Sequence, residues 1–376
     1  MAAIMDRRSL IGAAVAMLAP GLTLAATHPR GAARPDAAAR LVRRAMVING
    51  NLLAPVDSEA ALSAADAAAV RASGLTALKM SLGGATGGFA EAEADIADFD
   101  KAMALNPGLY LKVLKAGDLA LARRTGRVGI IYSFEGAAMF EGRPERIDHF
   151  AGRGVRVMQL GYNVGSPFAA GVLSPQPSSG LTALGREAVE RMNATGVTLD
   201  LSHADEATTL PALAATKVPA LITHAGCSAI HAHPRNKSDA VLRAVADKGG
   251  TVGIYELCFL DAGPAQQSLD HYMAHMTHAL KVCGEDHVGI GTDGQLTPFD
   301  TSPGAMAAWD KDIAARKAAG VGAPGEGRPP FVAGLNRVDR CEVIARQLLK
   351  RGYPARVAEK VLGANFARVF AETWPG

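Results

Sequence analysis

Three features that this 376-residue chain lacks limit what it can be. Its formal net charge is only +3 and no basic stripe runs through it, which argues against a nucleic-acid-binding protein. It has no glycine-rich phosphate loop of the required form, which sets aside a nucleotide-dependent or redox enzyme. Its amino-terminal apolar run, Leu10–Leu24, is too short for a comfortable membrane span. With 49% hydrophobic and 20% charged residues, the composition is typical of a soluble globular protein with a large core.

Cysteine is also scarce, and its spacing carries little information. The chain has four cysteines, Cys227, Cys258, Cys283 and Cys341, and none forms a CxxC pair. One disulfide is an open alternative in an oxidising compartment, but the spacing does not identify it. We favour four buried thiols that act as small hydrophobic side chains.

The first 26 residues read as an export signal. Arg7 and Arg8 precede the apolar run, and Ala25 and Ala26 follow it at a suitable cleavage position. Asp6-Arg7-Arg8-Ser9-Leu10-Ile11 resembles a bacterial twin-arginine signal, with an ordinary secretion signal or an uncleaved anchor as alternatives. We therefore predict a periplasmic or secreted protein with no stable membrane span after signal removal, and one barrel domain over 27–376.

The mature chain alternates short apolar runs with amphipathic stretches. This pattern favours an α/β fold, a (β/α)8 TIM-type barrel with additional carboxyl-terminal helices. Helices are predicted over Ser58–Ala72, Leu184–Thr195 and Ser238–Lys248, with Ser58 and Ser238 as N-caps. Two further helices around Gly352-Tyr353-Pro354 should close the outside of the barrel. The eight predicted strands are Met46–Ile48, Thr76–Met80, Val128–Phe134, Val155–Leu160, Gly196–Leu201, Val218–Thr223, Thr251–Tyr255 and Val288–Thr292.

Polar residues with metal-binding chemistry follow several of these strands. Glu135, His203 and His224 stand at or just beyond the ends of the third, fifth and sixth strands. The carboxyl ends of barrel strands converge on one mouth, so the three side chains are expected to meet there. Two histidines and a carboxylate are a typical ligand set for catalytic zinc, which activates water in its open position. A single such histidine would more often be structural.

Two other residues are candidates for the same mouth. Asp293 follows the eighth strand and is a candidate acid and base, with a turn aspartate before Gly294 as the equal alternative. Arg235, in the loop after the sixth strand, is suited to hold a substrate carboxylate, although a lone loop arginine is usually only solvated.

A second histidine group competes with the first. His271, His275 and His278 have the spacing of one helix face, which can bind a metal. This helix precedes the eighth strand and should pack on the barrel's flank, away from the mouth. We therefore interpret these three histidines as structural.

Four segments together carry a family resemblance: GLTALGREAVERMNATGVTLDLSHADEAT, PALITHAGCSAIHAHPRN, HVGIGTDG and VLGANFARVF. They resemble the membrane dipeptidases (renal dipeptidase, peptidase M19) of the amidohydrolase superfamily. The resemblance implies a metal-bearing barrel that hydrolyses dipeptides, often with a D-residue at the carboxyl-terminal position. By the same resemblance Glu135 matches a carboxylate that bridges two zinc ions, His203 and His224 the ligands of one ion, Asp293 the proton-handling aspartate, and Arg235 the carboxylate clamp.

The chain departs from this family at two places. Where the family has Asp-Gly-His-Asn-Asp, the chain has Asn49-Gly50-Asn51-Leu52-Leu53, so Asn51 and Leu53 replace the ligands of the first metal. An asparagine amide is a poor zinc ligand and leucine offers no lone pair. A family histidine that steadies the substrate oxygen corresponds to Tyr162, whose hydroxyl can still donate a hydrogen bond.

Two hypotheses follow. The first is a hydrolase with one zinc ion at Glu135, His203 and His224, acting on a small carboxylate-bearing substrate such as a dipeptide. The second is a periplasmic binding or vestigial protein that retains the carboxylate pocket but has lost turnover. The sequence leaves the oligomeric state open, with a homodimer as one alternative.

Overall fold

A parallel sheet covered by helices forms the centre of the computed structural model, which describes residues 36–375. The predicted export signal, residues 1–26, lies outside the described residues. The α-helices are α1 Ala37–Arg44, α2 Ala64–Ala72, α3 Phe89–Leu105, α4 Ala116–Thr125, α5 Arg146–Gly152, α6 Ala183–Thr195, α7 Glu206–Ala215, α8 Asp239–Asp247, α9 Leu269–Cys283, α10 Pro303–Ala318, α11 Arg340–Lys350, α12 Ala355–Glu359 and α13 Asn365–Thr373. The strands are β1 Ile48–Asn49, β2 Leu52–Leu53, β3 Ala77–Ser81, β4 Tyr110–Lys112, β5 Val128–Phe134, β6 Val155–Met158, β7 Thr198–Leu199, β8 Leu221–Cys227, β9 Asn236–Lys237, β10 Thr251–Ile254, β11 Val288–Ile290 and β12 Gly294–Gln295.

The sheet is curled, and its strands run parallel. Its order is β7-β6-β5-β3-β1-β11-β10-β8-β9, with β4 beside β5. A parallel bridge between Asp200, just after β7, and Leu221 of β8 brings the two sides of the curl together. β2 and β12 form a separate parallel pair that sets Asn51 next to Asp293. The predicted α/β class with a parallel sheet and alternating helices is confirmed.

Strand alternation gives the inside of the sheet two different layers. Ala77, Ile131, Val157 and Leu221 belong to one apolar cluster near the amino-terminal ends of the strands. Because side chains two positions apart on a strand point to the same face, the next layer toward the carboxyl ends is polar. It comprises the buried residues Lys79, Ser133, Gln159, Asp200 and Thr223.

The carboxyl-terminal helices confirm one prediction and correct another. The turn at Gly352 is confirmed, since α11 ends at Lys350 and α12 begins at Ala355. The second helix is interrupted by a π-helical segment at Lys360–Ala364 and does not lie on the outside of the sheet. Phe366 and Phe370 of α13 instead pack into the apolar cluster, and Trp374 bonds Thr198 Oγ1 at 2.9 Å. Burial of these apolar side chains stabilises α13 at the amino-terminal ends of the strands, opposite the mouth.

Local capping explains one difference in helix boundaries. The predicted N-cap Ser238 is confirmed, since its side chain accepts a hydrogen bond from Val241 N. The predicted cap at Ser58 is wrong, because α2 begins only at Ala64 and Ser63 caps it through Asp66 N. Both serines precede the same alanine-rich stretch, and Ser63 is the one whose hydroxyl meets an unpaired amide of the first turn. Among the described residues, no helix combines the length and apolar character needed to span a bilayer.

Candidate metal centre

Glu135, His203 and His224 lie close together. Glu135 follows the end of β5, His203 lies beyond the end of β7, and His224 lies within β8. One ligand atom of each lies within 4.8 Å of the others, and all three residues are buried. His203 Nε2 is 3.0 Å from His224 Nε2 and 3.9 Å from Glu135 Oε2. Two nitrogens bound tetrahedrally to one zinc ion at 2.0–2.1 Å would be about 3.3 Å apart. The predicted ligands are therefore close enough to share one ion.

The hydrogen-bond partners of His203 fix its ring proton. Its Nδ1 is 2.7 Å from Asn163 Oδ1, and Asn163 Nδ2 donates to Val321 O at 2.8 Å. Turning the amide over would place two oxygens against each other at Val321, so Oδ1 must face the imidazole. His203 Nδ1 is then the donor, and its Nε2 carries a lone pair.

A second chain of hydrogen bonds fixes His224 in the same way. Its Nδ1 is 2.9 Å from Thr223 Oγ1, and Thr223 gives its own hydroxyl proton to Asp200 Oδ2 at 2.6 Å. Thr223 must therefore accept the Nδ1 proton of His224. The Nε2 lone pairs of both histidines consequently face each other across 3.0 Å, an arrangement that a shared cation stabilises.

Burial keeps both imidazoles neutral. It lowers the pKa of His203 well below its ordinary value, and the nearby Arg235 guanidinium lowers it further. Burial likewise lowers the pKa of His224, against the opposing effect of Glu135. Because metal binding requires the unprotonated ring, the two nitrogens are ready to coordinate at neutral pH.

Replacing Asn163 with alanine tests this arrangement. The His203 ring would lose the acceptor that holds its Nδ1 proton, so we expect zinc affinity to fall by about 10- to 100-fold. Chelator competition on the purified protein measures the change. Asn193→Ala in α6, whose side chain bonds Val189 O and Lys217 N away from this centre, is the matched control and should leave zinc affinity unaltered. An Asn163→Ala protein with normal zinc affinity would contradict the assignment.

Asp293 faces the same cluster from β12's side. Its Oδ1 accepts a hydrogen bond from Asn51 Nδ2 at 2.8 Å, and its Oδ2 is 3.9 Å from His224 Nε2. Its φ of 55° is left-handed, an uncommon conformation for a residue other than glycine. Asp293 therefore occupies a turn, as one predicted alternative has it, and also lies beside the histidines, as the other requires.

Arg235 is buried, whereas a loop arginine is usually solvated. It is 1% exposed, and its Nη1 donates to Ser202 O at 2.5 Å, beside His203. Its Nη2 has no hydrogen-bond partner among the described residues. A buried guanidinium with an unused donor is suited to hold an anionic group.

Tyr162 stacks on His203, with ring centroids 4.1 Å apart. Arg316 Nη2 from α10 donates to its hydroxyl oxygen at 3.2 Å. Burial raises the pKa of Tyr162, so the phenol keeps its proton. That proton is available to a substrate oxygen, because Arg316 uses only the oxygen's lone pair.

Other histidines and the cysteines behave as predicted. Buried His275 accepts from Cys227 N at 2.8 Å and lies 2.9 Å from Leu260 O, so both ring nitrogens are used structurally. His278 pairs with Asp239, and His271 Nδ1 accepts a hydrogen bond from Ser268 N at the start of its own helix. All four cysteines are buried and unpaired.

Several residues that support these side chains were not among those predicted from the sequence. Asn163 and Thr223 orient the histidines, Asp200 accepts from Thr223, and Arg316 reaches Tyr162 from a distant helix. Lys79 lies 3.7 Å from Glu135. Lys79 and Asp200 each carry a charge inside a short apolar run, ALKMS and VTLDLS, and that pattern is the signal from which they were identifiable.

Comparisons with known proteins show the family to which this chain belongs. The family model for membrane dipeptidase (peptidase family M19) matches residues 88–310. An amidohydrolase structure from Pseudomonas aeruginosa is 30% identical, with a TM-score of 0.77, and the match covers 90% of this chain and 99% of that one. A metallopeptidase structure from Rhodobacter sphaeroides, liganded with a phosphinate mimic of the dipeptide L-Ala-D-Ala, shares the fold at 18% identity and a TM-score of 0.70, covering 88% and 99%.

A curated relative extends the comparison. An uncharacterized dipeptidase of Schizosaccharomyces pombe is 32% identical over 190 residues, which is 49% of this chain and 46% of that protein. The chain thus spans about half the length of that dipeptidase. The family match covers more than half of the chain and includes Glu135, His203, His224 and Asp293. The chain belongs to the membrane dipeptidase family, peptidase family M19.

Proposed function

We propose that this protein is a hydrolase that cleaves dipeptides with one divalent metal ion, zinc by preference. The observation that carries the proposal is the pair of Nε2 lone pairs directed at one point beside Glu135. When bound there, the ion supplies Lewis-acid polarisation and a nucleophile at neutral pH. One ion is proposed because the residues in place of the other ligands, Asn51 and Leu53, are an amide and a hydrocarbon.

The surrounding residues have complementary roles. Arg235 Nη2 would hold the substrate's terminal carboxylate, and the Tyr162 hydroxyl would donate to the carbonyl oxygen as negative charge develops on it. Asp293 Oδ2 would take a proton from the attacking water and return it to the departing amine. A carboxyl-terminal D-residue is proposed as an acceptable substrate, supported by the dipeptide mimic bound to the Rhodobacter relative.

The test is a measurement of metal content together with hydrolysis. We expect one zinc per chain and metal-dependent cleavage of L,L and L,D dipeptides, lost with a chelator and restored by zinc. Dipeptide binding without cleavage at any zinc concentration would instead favour the alternative, a binding or vestigial protein. The hydrogen bond from Asn51 to Asp293 favours that alternative, since it occupies one oxygen of the proposed acid and base.

Two proposals concern the setting of this site. We propose that the curled sheet closes as an eight-stranded barrel of β1, β3, β5, β6, β7, β8, β10 and β11, supported by the bridge from Asp200 to Leu221.

We also propose that the protein acts in the bacterial periplasm or outside the cell, supported by the twin-arginine pattern at Arg7 and Arg8. Fractionation of cells that produce the full chain, compared with an Arg7→Lys, Arg8→Lys variant, tests the second proposal.

A further inference from the structure

A buried lysine lies directly beneath the candidate metal centre. Lys79 occupies the middle of β3 and is 0% exposed. Its Nζ has no hydrogen-bond partner among the described residues. A buried ammonium without such a partner is costly unless nearby charge compensates it.

Two carboxylates supply that compensation. Nζ lies 3.7 Å from Glu135 Oε1 and 3.9 Å from Asp200 Oδ2. Asp200 is already fully bonded, since it accepts from Ser202 N and Oγ, Thr223 N and Oγ1, and Gln159 Nε2. Glu135 is the carboxylate that Lys79 shares with the metal centre.

The two oxygens of Glu135 face opposite neighbours. Oε2 lies toward His203 Nε2, at 3.9 Å, and Oε1 lies toward Lys79. A divalent ion held by the histidines and an ammonium at Lys79 would therefore stand on either side of one carboxylate. Both charges would be buried, where like charges a few ångströms apart interact strongly.

We propose that Lys79 supplies the second cation of this centre. Its ammonium balances the Glu135 oxygen that faces away from the histidines, and its charge limits the centre to one divalent ion. Lys79 acts through Glu135 and is a positioning residue. The inference rests on the proposed one-metal function, and it gives a physical reason why a single ion suffices for charge balance.

Zinc binding by the metal-free protein tests the proposal without an activity assay. The wild-type chain should saturate at one zinc, measured by elemental analysis. Lys79→Met removes the charge at similar length, and we expect the zinc dissociation constant to fall by about tenfold or more because the repulsion between buried cations is gone. If Lys79 has only a structural role, the zinc dissociation constant should rise instead, because a less ordered set of Glu135, His203 and His224 binds zinc more weakly.

Two further variants complete the experiment. Lys79→Gln keeps a polar end beside Asp200 and should also bind zinc more tightly, which covers a failure of the methionine variant to fold. Lys112→Met in β4 removes a strand lysine that pairs with Asp100, and it should leave zinc affinity unchanged.

The outcomes separate this inference from the proposed function. Two zinc ions on the wild-type chain, or an unchanged or weaker zinc affinity in folded Lys79 variants, would overturn the role of Lys79 while leaving a metal hydrolase intact. No zinc on the wild-type chain would overturn both.

Discussion

Replacing His224 with alanine is expected to remove metal and activity together. The Nε2 lone pair of His224 faces that of His203 across 3.0 Å. In the part of the chain that the structure describes, no third imidazole joins Glu135, His203 and His224 in a metal-binding group. Lewis-acid stabilisation is worth several kcal/mol, so we expect a loss of about 1000-fold or more in turnover. Zinc affinity should fall by more than the roughly 10- to 100-fold that follows loss of a ligand's hydrogen-bond partner.

Elemental analysis and dipeptide hydrolysis measure the two effects. His278→Ala is the matched control, because His278 of α9 pairs with Asp239 of α8 and is not part of the metal-binding group of Glu135, His203 and His224. Circular dichroism shows whether the His224 variant remains folded. A folded His224→Ala protein that retains one zinc and normal turnover would disprove the proposed centre.

Replacing Arg235 with methionine is expected to impair recognition of the substrate carboxylate. A hydrogen bond between charged groups contributes about 1.5–3 kcal/mol, so KM for L-Ala-D-Ala should rise by about 10- to 100-fold. The same dipeptide with its terminus amidated lacks the negative charge, and its KM should change little. This contrast between two substrates distinguishes carboxylate binding from a general loss of structure.

Two additional variants sharpen the Arg235 experiment. Arg235→Lys keeps the charge but loses the planar pair of donors, so its KM should lie between those of the wild type and the methionine variant. Arg356→Met removes an exposed arginine that pairs with Glu285 and serves as the control. Equal effects of Arg235→Met on the free and amidated dipeptides would rule out the clamp.

Much of the site was predictable because strand ends are visible in the sequence. GIIYSF followed by Glu135, and PALIT followed by His224, mark apolar runs that end in a potential ligand. Parallel strands bring such ends to one edge of a sheet, so the trio followed from strand order alone. The boundaries were less accurate, since β8 continues through His224 to Cys227 where β9 pairs with it.

The supporting contacts were not predictable by the same argument. Asn163 lies in a long loop, and its role depends on Val321, which is 158 positions away in the chain. Arg316 reaches Tyr162 from α10, a helix without buried residues and hence without a clear apolar face. Such pairings depend on tertiary packing, for which strand and helix periodicity holds no information.

The position of α13 has a consequence for how the protein is made. Residues 365–374 leave the ribosome after every strand whose apolar end they cover. Until Phe366 and Phe370 arrive, Ile48, Ala77 and Leu221 lack their final packing partners. The apolar end of the sheet is therefore covered only after α13 has been synthesised, and a nascent chain stalled before Asn365 would expose an apolar surface prone to aggregation.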